Sequence, residues 1–249
     1  MKKTIRKLLN LLLNFINNSD IGKLNSSTRE EWIIAQIKNI PKNSIVLDAG
    51  AGLTPYKKYF EGVVYKSQDF GEYDGSGDGT GLQKNEFDTS KIDIVSDITA
   101  IPLKKESIDV ILCSEVFEHI VDPLKALDEF YRLLKPGGKL ILTAPFNSIT
   151  HFSPHFYSTG FTKNYYEYHL NDKGFKIIEI QANGNYFDYI AQEIHRLPKV
   201  SRQYSKVSSN FFLEICLRYI LKYLDENSKS DNESNELLCF GYHVLSEKI

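Results

Sequence analysis

Asp48 closes a short apolar run, Val46-Leu47-Asp48, and two glycines follow it one residue apart, Gly50 and Gly52. Glycines at this spacing let a backbone turn approach a ligand with no Cβ in the way. A dinucleotide-binding turn would add a third glycine and open a helix whose N–H groups hold a pyrophosphate. This chain instead continues Leu53-Thr54-Pro55, and proline removes one of those N–H groups. Four further strand ends carry informative residues: Asp69, Asp97-Ile98, Ser114-Glu115 and Pro145-Phe146. A row of carboxylates suits a ligand with hydroxyl and ammonium groups, and repels phosphates. S-adenosylmethionine meets these conditions, with its ammonium, ribose hydroxyls and sulfonium. Asp69 lies where an acid can take ribose hydroxyls, and Asp97 can accept from an adenine amino group.

Three histidines add proton chemistry. His119 follows the fourth expected strand, and His151 and His155 follow the fifth, so all three are expected over the acceptor side of the site. A neutral imidazole can remove a hydroxyl proton. His151 and His155 are four apart, but Pro154 breaks any helical pairing and no third ligand is near in sequence, so no metal site is expected. The Asp74–Gly79 stretch resembles the start of a calcium loop. Asn85 stands where the closing acid belongs, so a loop beside the cofactor is the expectation. Tyr131 and Lys135 form a Tyr-x-x-x-Lys match, but the tyrosine is on an apolar stripe and the lysine in a last helical turn, so structural roles are expected.

The elements that must position these residues follow from periodicity. Ser44–Ala49, Val63–Gln68, Ile92–Ser96, Ile108–Ser114, Lys139–Thr143, Phe175–Gln181 and Leu237–Ser246 read as strands. Several are continuous apolar runs, as in a parallel sheet covered on both faces. Between them, Ser27–Ile40 has helical spacing, and Thr54-Pro55 looks like an N-cap and first helical residue. Asp122-Pro123 starts a helix with the stripe Leu124, Leu127, Phe130, Tyr131 and Leu134, stopped by Lys135-Pro-Gly-Gly138. The expected fold is α/β, a doubly wound and mostly parallel sheet. Asn185–Leu197 and Ser209–Leu224 read as helices inserted before the terminal strand, the latter apolar almost all round, and Asp225–Glu236 as a polar loop.

Composition agrees with a folded α/β domain: 249 residues, 42% hydrophobic and 25% charged, with net charge −2. The charge gives no bulk basic field, so no nucleic-acid partner is expected. Three scattered cysteines give neither a disulfide framework nor zinc spacing, which suits a reducing cytoplasm. Residues 1–24 form a separate expected unit, an amphipathic helix with Lys3, Arg6 and Lys7 on its polar face and Ile5, Leu8, Leu12 and Ile16 opposite. It packs on the domain, joins two copies, or lies peripherally on the inner face of a membrane. Residues 25–249 form the main domain, with a helical insert at about 185–236.

The motifs VLDAGAG (Val46–Gly52), SQDF (Ser67–Phe70), SDITAIPL (Ser96–Leu103), CSEVFEHI (Cys113–Ile120) and DPLKALDEFYRLLKPGGKLILTAPF (Asp122–Phe146) jointly resemble the class I S-adenosylmethionine-dependent methyltransferases. The resemblance covers about 43–180 and the terminal strand. It implies a seven-stranded sheet, with the last strand antiparallel beside the fifth. It also implies that Asp48, Gly50 and Gly52 line the methionine end and that Asp69 binds ribose. Asp97, Ile98 and Phe70 would meet adenine, and Ser114 and Glu115 would lie beneath the ligand. Thr54-Pro55 departs from members that continue with a glycine. A closer group, with a QDF…GDGTGLQ loop and a THFSPHFYSTGF segment, is associated with polysaccharide synthesis. The expected activity is O-methylation of a hydroxylated small molecule, sugar or lipid-linked glycan. Two other readings are a non-catalytic cofactor-binding module and a nicotinamide-dependent oxidoreductase.

Overall fold

The computed structural model describes residues 19–83 and 86–249. The expected N-terminal amphipathic helix falls almost wholly outside the described residues. One compact unit comprises residues 28–183 and 241–249. It holds a seven-stranded sheet in the order β3-β2-β1-β4-β5-β7-β6. The strands are β1 (Ile45–Ala49), β2 (Val64–Asp69), β3 (Ile94–Val95), β4 (Ile108–Ser114), β5 (Leu134–Pro145), β6 (Phe175–Asn183) and β7 (Gly241–Lys248). Strands β3, β2, β1, β4 and β5 run parallel, whereas β7 pairs antiparallel with both β5 and β6. The doubly wound, mostly parallel sheet is therefore present, with its last strand where the sequence placed it.

The β1 run Val46, Leu47 and Asp48 is buried, as are Val110 and Leu112 of β4, because helices cover the sheet. Trp32, Ile33 and Ile37 of α1 (Asn25–Lys38) pack on Val46, Val110, Leu112, Ile141 and Leu245. Helix α2 (Pro123–Leu133) begins as its sequence requires: Asp122 accepts from the Lys125 N–H, and Pro123 occupies the first turn. Its buried stripe includes Leu127, Phe130 and Leu133. Tyr131 and Lys135 are structural: the phenol donates to the Ile249 carbonyl at 3.1 Å, and the ammonium pairs with Asp109 at 2.7 Å. Helix α3 (Lys163–Asp172) joins β5 to β6.

Three local expectations change. Thr54-Pro55 opens no α-helix: Thr54 has φ +52°, and only a single 3₁₀ turn, Lys57–Tyr59, follows. A left-handed Thr54 cannot serve as the extended N-cap that a helix start needs. Strand β3 shrinks to two residues, since Asp93 spends its carboxylate on the Ser67 N–H and hydroxyl. Asp225–Lys229 is helical instead of loop.

The second compact unit comprises, among the described residues, 19–27 and 184–240. Its described part contains α4 (Tyr186–Val200) and α5 (Phe211–Lys229). Asn185 and Asp188 make a reciprocal capping box at the start of α4. Ile21, Ala191 and Leu224 form a small core there. On α5, Phe211, Phe212, Tyr219, Ile220 and Tyr223 are exposed. Among the described residues, no helix is long and apolar enough to cross a membrane.

His243 on β7 is buried and stacked on Trp32 at 5.0 Å, with neither ring nitrogen hydrogen-bonded. Burial, and secondarily Arg29, lower its pKa to about 4. A histidine depressed in this way contributes stability that is complete above its unfolded pKa of about 6.5 and is lost as pH falls toward 4. The loss approaches about 3 kcal/mol. His243→Phe keeps the stacking and removes the titration. Its melting temperature should fall less than that of the parent between pH 7 and pH 4.5, and an equal fall would contradict this account.

Candidate active site

The carboxyl ends of β1, β2 and β4 meet at one edge of the sheet, where an open α/β fold binds ligands. The glycine turn after β1 is closed by three consecutive hydrogen bonds. Gly50 N–H donates to the Gln68 side-chain oxygen (3.2 Å), Ala51 N–H to the Gln68 carbonyl (2.8 Å) and Gly52 N–H to Asp69 Oδ2 (2.9 Å). The other end of the Gln68 amide donates to the Ser96 carbonyl at 2.7 Å, tying the turn to the end of β3. All three N–H groups are thus satisfied by protein oxygens, and none remains to cradle a pyrophosphate. That geometry, more than the missing third glycine, argues against a dinucleotide. Gln68 was not singled out in the sequence, because a polar residue one place before a strand end carries no pattern of its own.

Asp69 braces more than one strand end. Its Oδ1 accepts from Gly71 N–H at 3.0 Å while Oδ2 holds Gly52. Asp48 is buried and accepts from the Tyr65 hydroxyl at 2.6 Å. Burial pushes its pKa up to about 7 against the lowering effect of that hydrogen bond, and Asp69 adds to the rise. Asp97 is exposed, and its Oδ1 is taken by the Thr99 N–H and hydroxyl (2.7 and 2.8 Å). It therefore caps the local turn, and Ile98 beside it is buried. Glu115 adopts φ +55°, a backbone conformation costly for a non-glycine residue and often met at functional sites. It is pinned by Arg29 (3.0 Å) and by the Thr143 hydroxyl (3.1 Å), while Ser114 and Thr143 share a hydrogen bond of 2.9 Å.

The loop at 71–83 and the segment after β5 hold each other. Leu82 N–H donates to the Thr150 carbonyl (3.0 Å), Phe152 N–H to the Leu82 carbonyl (3.1 Å) and Asp78 N–H to the Ser153 carbonyl (3.1 Å). A Cβ on Gly81 would lie 2.4 Å from the Thr150 carbonyl oxygen, so this pairing needs glycine there. The Asp74 carboxylate is used within its own turn, accepting from Ser76 N–H and hydroxyl (both 2.8 Å). Two motifs some seventy residues apart in sequence thereby form one wall. Tyr73, Phe87 and Phe152 stack within it, and Phe87 packs against Gly52.

This wall brings two of the three histidines together. The His119 and His151 rings are 4.7 Å apart, and Phe152 stacks on His119 at 5.2 Å. Nδ1 of His119 donates to the His155 carbonyl (2.6 Å), and Nδ1 of His151 to the Ile149 carbonyl (2.9 Å). Burial lowers the His119 pKa to about 4. The His155 ring turns away, edge-on to Phe70 at 4.9 Å. Glu118, in the 3₁₀ turn Phe117–His119, faces the histidine pair: its Oε1 is 3.8 Å from His119 Nε2 and 3.9 Å from His151 Nε2. The carboxyl is buried, and desolvation followed by Glu115 raises its pKa well above the usual range. A glutamate inside the apolar run Val116-Phe117-Glu118 was the signal that sequence reasoning passed over.

S-adenosylmethionine fits this donor set. Carboxylates stand at the ends of β1 and β2 and just beyond β4, and the N–H groups of Gly50, Ala51 and Gly52 are taken by protein oxygens. Residues 47–142 match a family model described as a methyltransferase domain. A demethylmenaquinone methyltransferase of Renibacterium salmoninarum is 32% identical over 105 residues, 42% of this chain and 41% of that protein. The chain spans only 15% to 41% of the lengths of curated relatives such as these. Among solved structures, an S-adenosylmethionine-dependent methyltransferase from Archaeoglobus fulgidus is similar with a TM-score of 0.50 and 20% identity, covering 88% of this chain and 94% of that one. The [4+2]-cyclase SpnF has the same TM-score of 0.50 at 11% identity, covering 98% and 94%. At such identities the likeness shows the fold alone. Residues 47–142 thus carry a methyltransferase domain, on a sheet whose antiparallel seventh strand and carboxylate-lined turn suit S-adenosylmethionine as its cofactor.

Proposed function

We propose that this chain transfers the methyl group of S-adenosylmethionine to a hydroxyl of a small acceptor, of the sugar or glycan class. The observation that carries this reading is the His119–His151 pair beside Glu118. A hydroxyl acceptor must lose its proton, and both rings present Nε2 away from their anchored Nδ1. An Nε2 lone pair can take that proton directly. His155, against Phe70, is the third candidate. The cofactor supplies an electrophilic methyl whose carbon–sulfur bond breaks with its electron pair left on sulfur. The chain must hold that group and align the acceptor oxygen in line with it.

The residues assigned to the cofactor are Asp48, Gly50 and Gly52 at the methionine end and Asp69 at the ribose. Phe70, Asp97 and Ile98 are assigned around adenine, with Ser114 and Glu115 beneath. The exposed aromatic and aliphatic residues of α5 support a lipid-linked form of the acceptor, because a bilayer surface would cover them. Flotation of the full chain with anionic vesicles would support that form. A chain that stays in the pellet leaves a water-soluble acceptor.

The test is incubation with methyl-deuterated S-adenosylmethionine and a panel of free, nucleotide-linked and polyprenyl-linked sugars, followed by mass spectrometry. Label on a sugar oxygen is expected. Label on nitrogen or carbon, or binding without transfer across the panel, would overturn the reading.

Asp48 gives a pH prediction. Its carboxyl sits at about 7 without ligand, and the cofactor ammonium favours the carboxylate. Affinity for S-adenosylhomocysteine should therefore rise as pH rises through 7, with a proton released on binding. Asp48→Asn should bind more weakly and without that pH dependence, as read by calorimetry in two buffers. A parent affinity that is flat between pH 6 and 8 would remove Asp48 from the cofactor contact.

A further inference from the structure

Glu115 is held from two elements. On β5, the Thr143 carbonyl accepts its N–H at 2.8 Å, and the Thr143 hydroxyl donates to its Oε1 at 3.1 Å. On α1, Arg29 Nη1 donates to its Oε2 at 3.0 Å. Arg29 stands three and four residues before Trp32 and Ile33, so the three share one face of the helix. Trp32 and Ile33 are buried against the sheet, and the same packing carries the guanidinium to the carboxyl end of β4. The Arg29 side chain is 18% exposed there, so solvent screens the pair less than it would on the surface. Tyr56, just past the glycine turn, hydrogen-bonds with both Ser114 and Arg29. A Cβ on Gly50 would lie 2.5 Å from a Val116 methyl carbon, so the glycine turn rests directly on the residue after Glu115. The left-handed backbone of Glu115 thus lies against the turn assigned to the methionine end of the cofactor. A non-glycine residue keeps such a backbone only where its surroundings over-determine it. Arg29 is one of the groups that do so here.

We propose that Arg29 is a positioning residue of the cofactor site: from α1 it fixes the Glu115 carboxylate beneath the methionine end, where that carboxylate takes the cofactor ammonium. A carboxylate has about four acceptor sites, so Arg29 and Thr143 leave room for an ammonium. Arg29 acts through Glu115 and does not itself touch the ligand. The proposal rests on the S-adenosylmethionine reading above and on the assignment of Glu115 beneath the ligand. Arg29 precedes residues 47–142, so the matched domain is completed from outside its own span. Its sequence context gives no sign of this: it is one of 30 lysines and arginines, in a helix marked only by its apolar spacing.

The full chain and its variants are titrated calorimetrically with two ligands. One is S-adenosylhomocysteine; the other is 5′-methylthioadenosine, which has the same adenosine and thioether but no amino-acid end. Arg29→Met should weaken S-adenosylhomocysteine about tenfold and leave methylthioadenosine within about twofold of the parent. Arg29→Lys, which keeps the charge without the planar fork, should recover part of the loss. Glu115→Gln should resemble Arg29→Met, and the double variant should bind no worse than the weaker single variant. Glu31→Ala, exposed on the same helix, should bind both ligands like the parent. If Arg29→Met does not fold, Arg29→Lys, Glu115→Gln and their double variant read the same coupling. Equal losses for the two ligands would make Arg29 a general structural residue and overturn the proposal. Additive losses in the double variant would put Arg29 on the ligand itself and overturn it too, as would unchanged S-adenosylhomocysteine affinity in Arg29→Met. A parent chain that binds neither ligand would overturn the cofactor reading, and the proposal with it.

Discussion

Replacing His119 and His151 together with alanine is expected to lower methyl transfer by about 100-fold or more, while S-adenosylhomocysteine binds within about threefold of the parent. The separation of the two effects follows from the layout. Both rings are anchored on carbonyls of the segment after β5, the acceptor side, and neither hydrogen-bonds to the glycine turn or to Asp69. Single replacements should each cost less, because the remaining Nε2 still faces Glu118 Oε1. His155→Ala should cost least of the three, since its ring lies on Phe70 and its carbonyl, which holds His119, survives the substitution. Single-turnover rates and calorimetry on the same variants read out both quantities. A double variant with an unchanged rate would remove imidazole from the chemistry.

The second large effect is expected at Asp69. One carboxylate accepts the N–H groups of Gly52 and Gly71, and its remaining lone pairs are assigned to the ribose. Asp69→Ala leaves two backbone donors without partners and removes the charge that would favour the hydroxyls. The combined loss should be about 2 kcal/mol or more, roughly 30-fold in S-adenosylhomocysteine affinity. Asp69→Asn keeps one acceptor oxygen and should fall between the two. Unchanged affinity in Asp69→Ala would show that the carboxylate only braces the turn.

Much of the architecture was legible because period and punctuation agreed. The continuous apolar strands around Val46 and Val110 read as a covered parallel sheet, and Asp122-Pro123 marked the start of α2 to the residue. Thr54-Pro55 misled because the same two residue types also suit a tight turn, and the choice was made by the left-handed φ of Thr54. The placement of Asp48, Asp69 and Glu115 at strand ends was legible, because an acid closing an apolar run marks such an end. The site was not legible where tertiary contacts decide. Gln68 is an ordinary polar residue until its amide is seen spanning Gly50 and Ser96. Glu118 is one acid among 32 acidic residues until it is buried against two histidines. The pairing of Leu82 with the segment that carries His151 has no local signature at all. The helix expected at the N-terminus lies outside the described residues.

The most direct test of the central claim is a calorimetric titration of the full chain with S-adenosylhomocysteine and, separately, with NAD. The glycine turn spends its three N–H groups on Gln68 and Asp69 and is lined by carboxylates. It should therefore bind one equivalent of S-adenosylhomocysteine, with the Asp69→Ala loss described above, and show no heat with NAD. Saturable NAD binding, or S-adenosylhomocysteine affinity indifferent to Asp69, would contradict it.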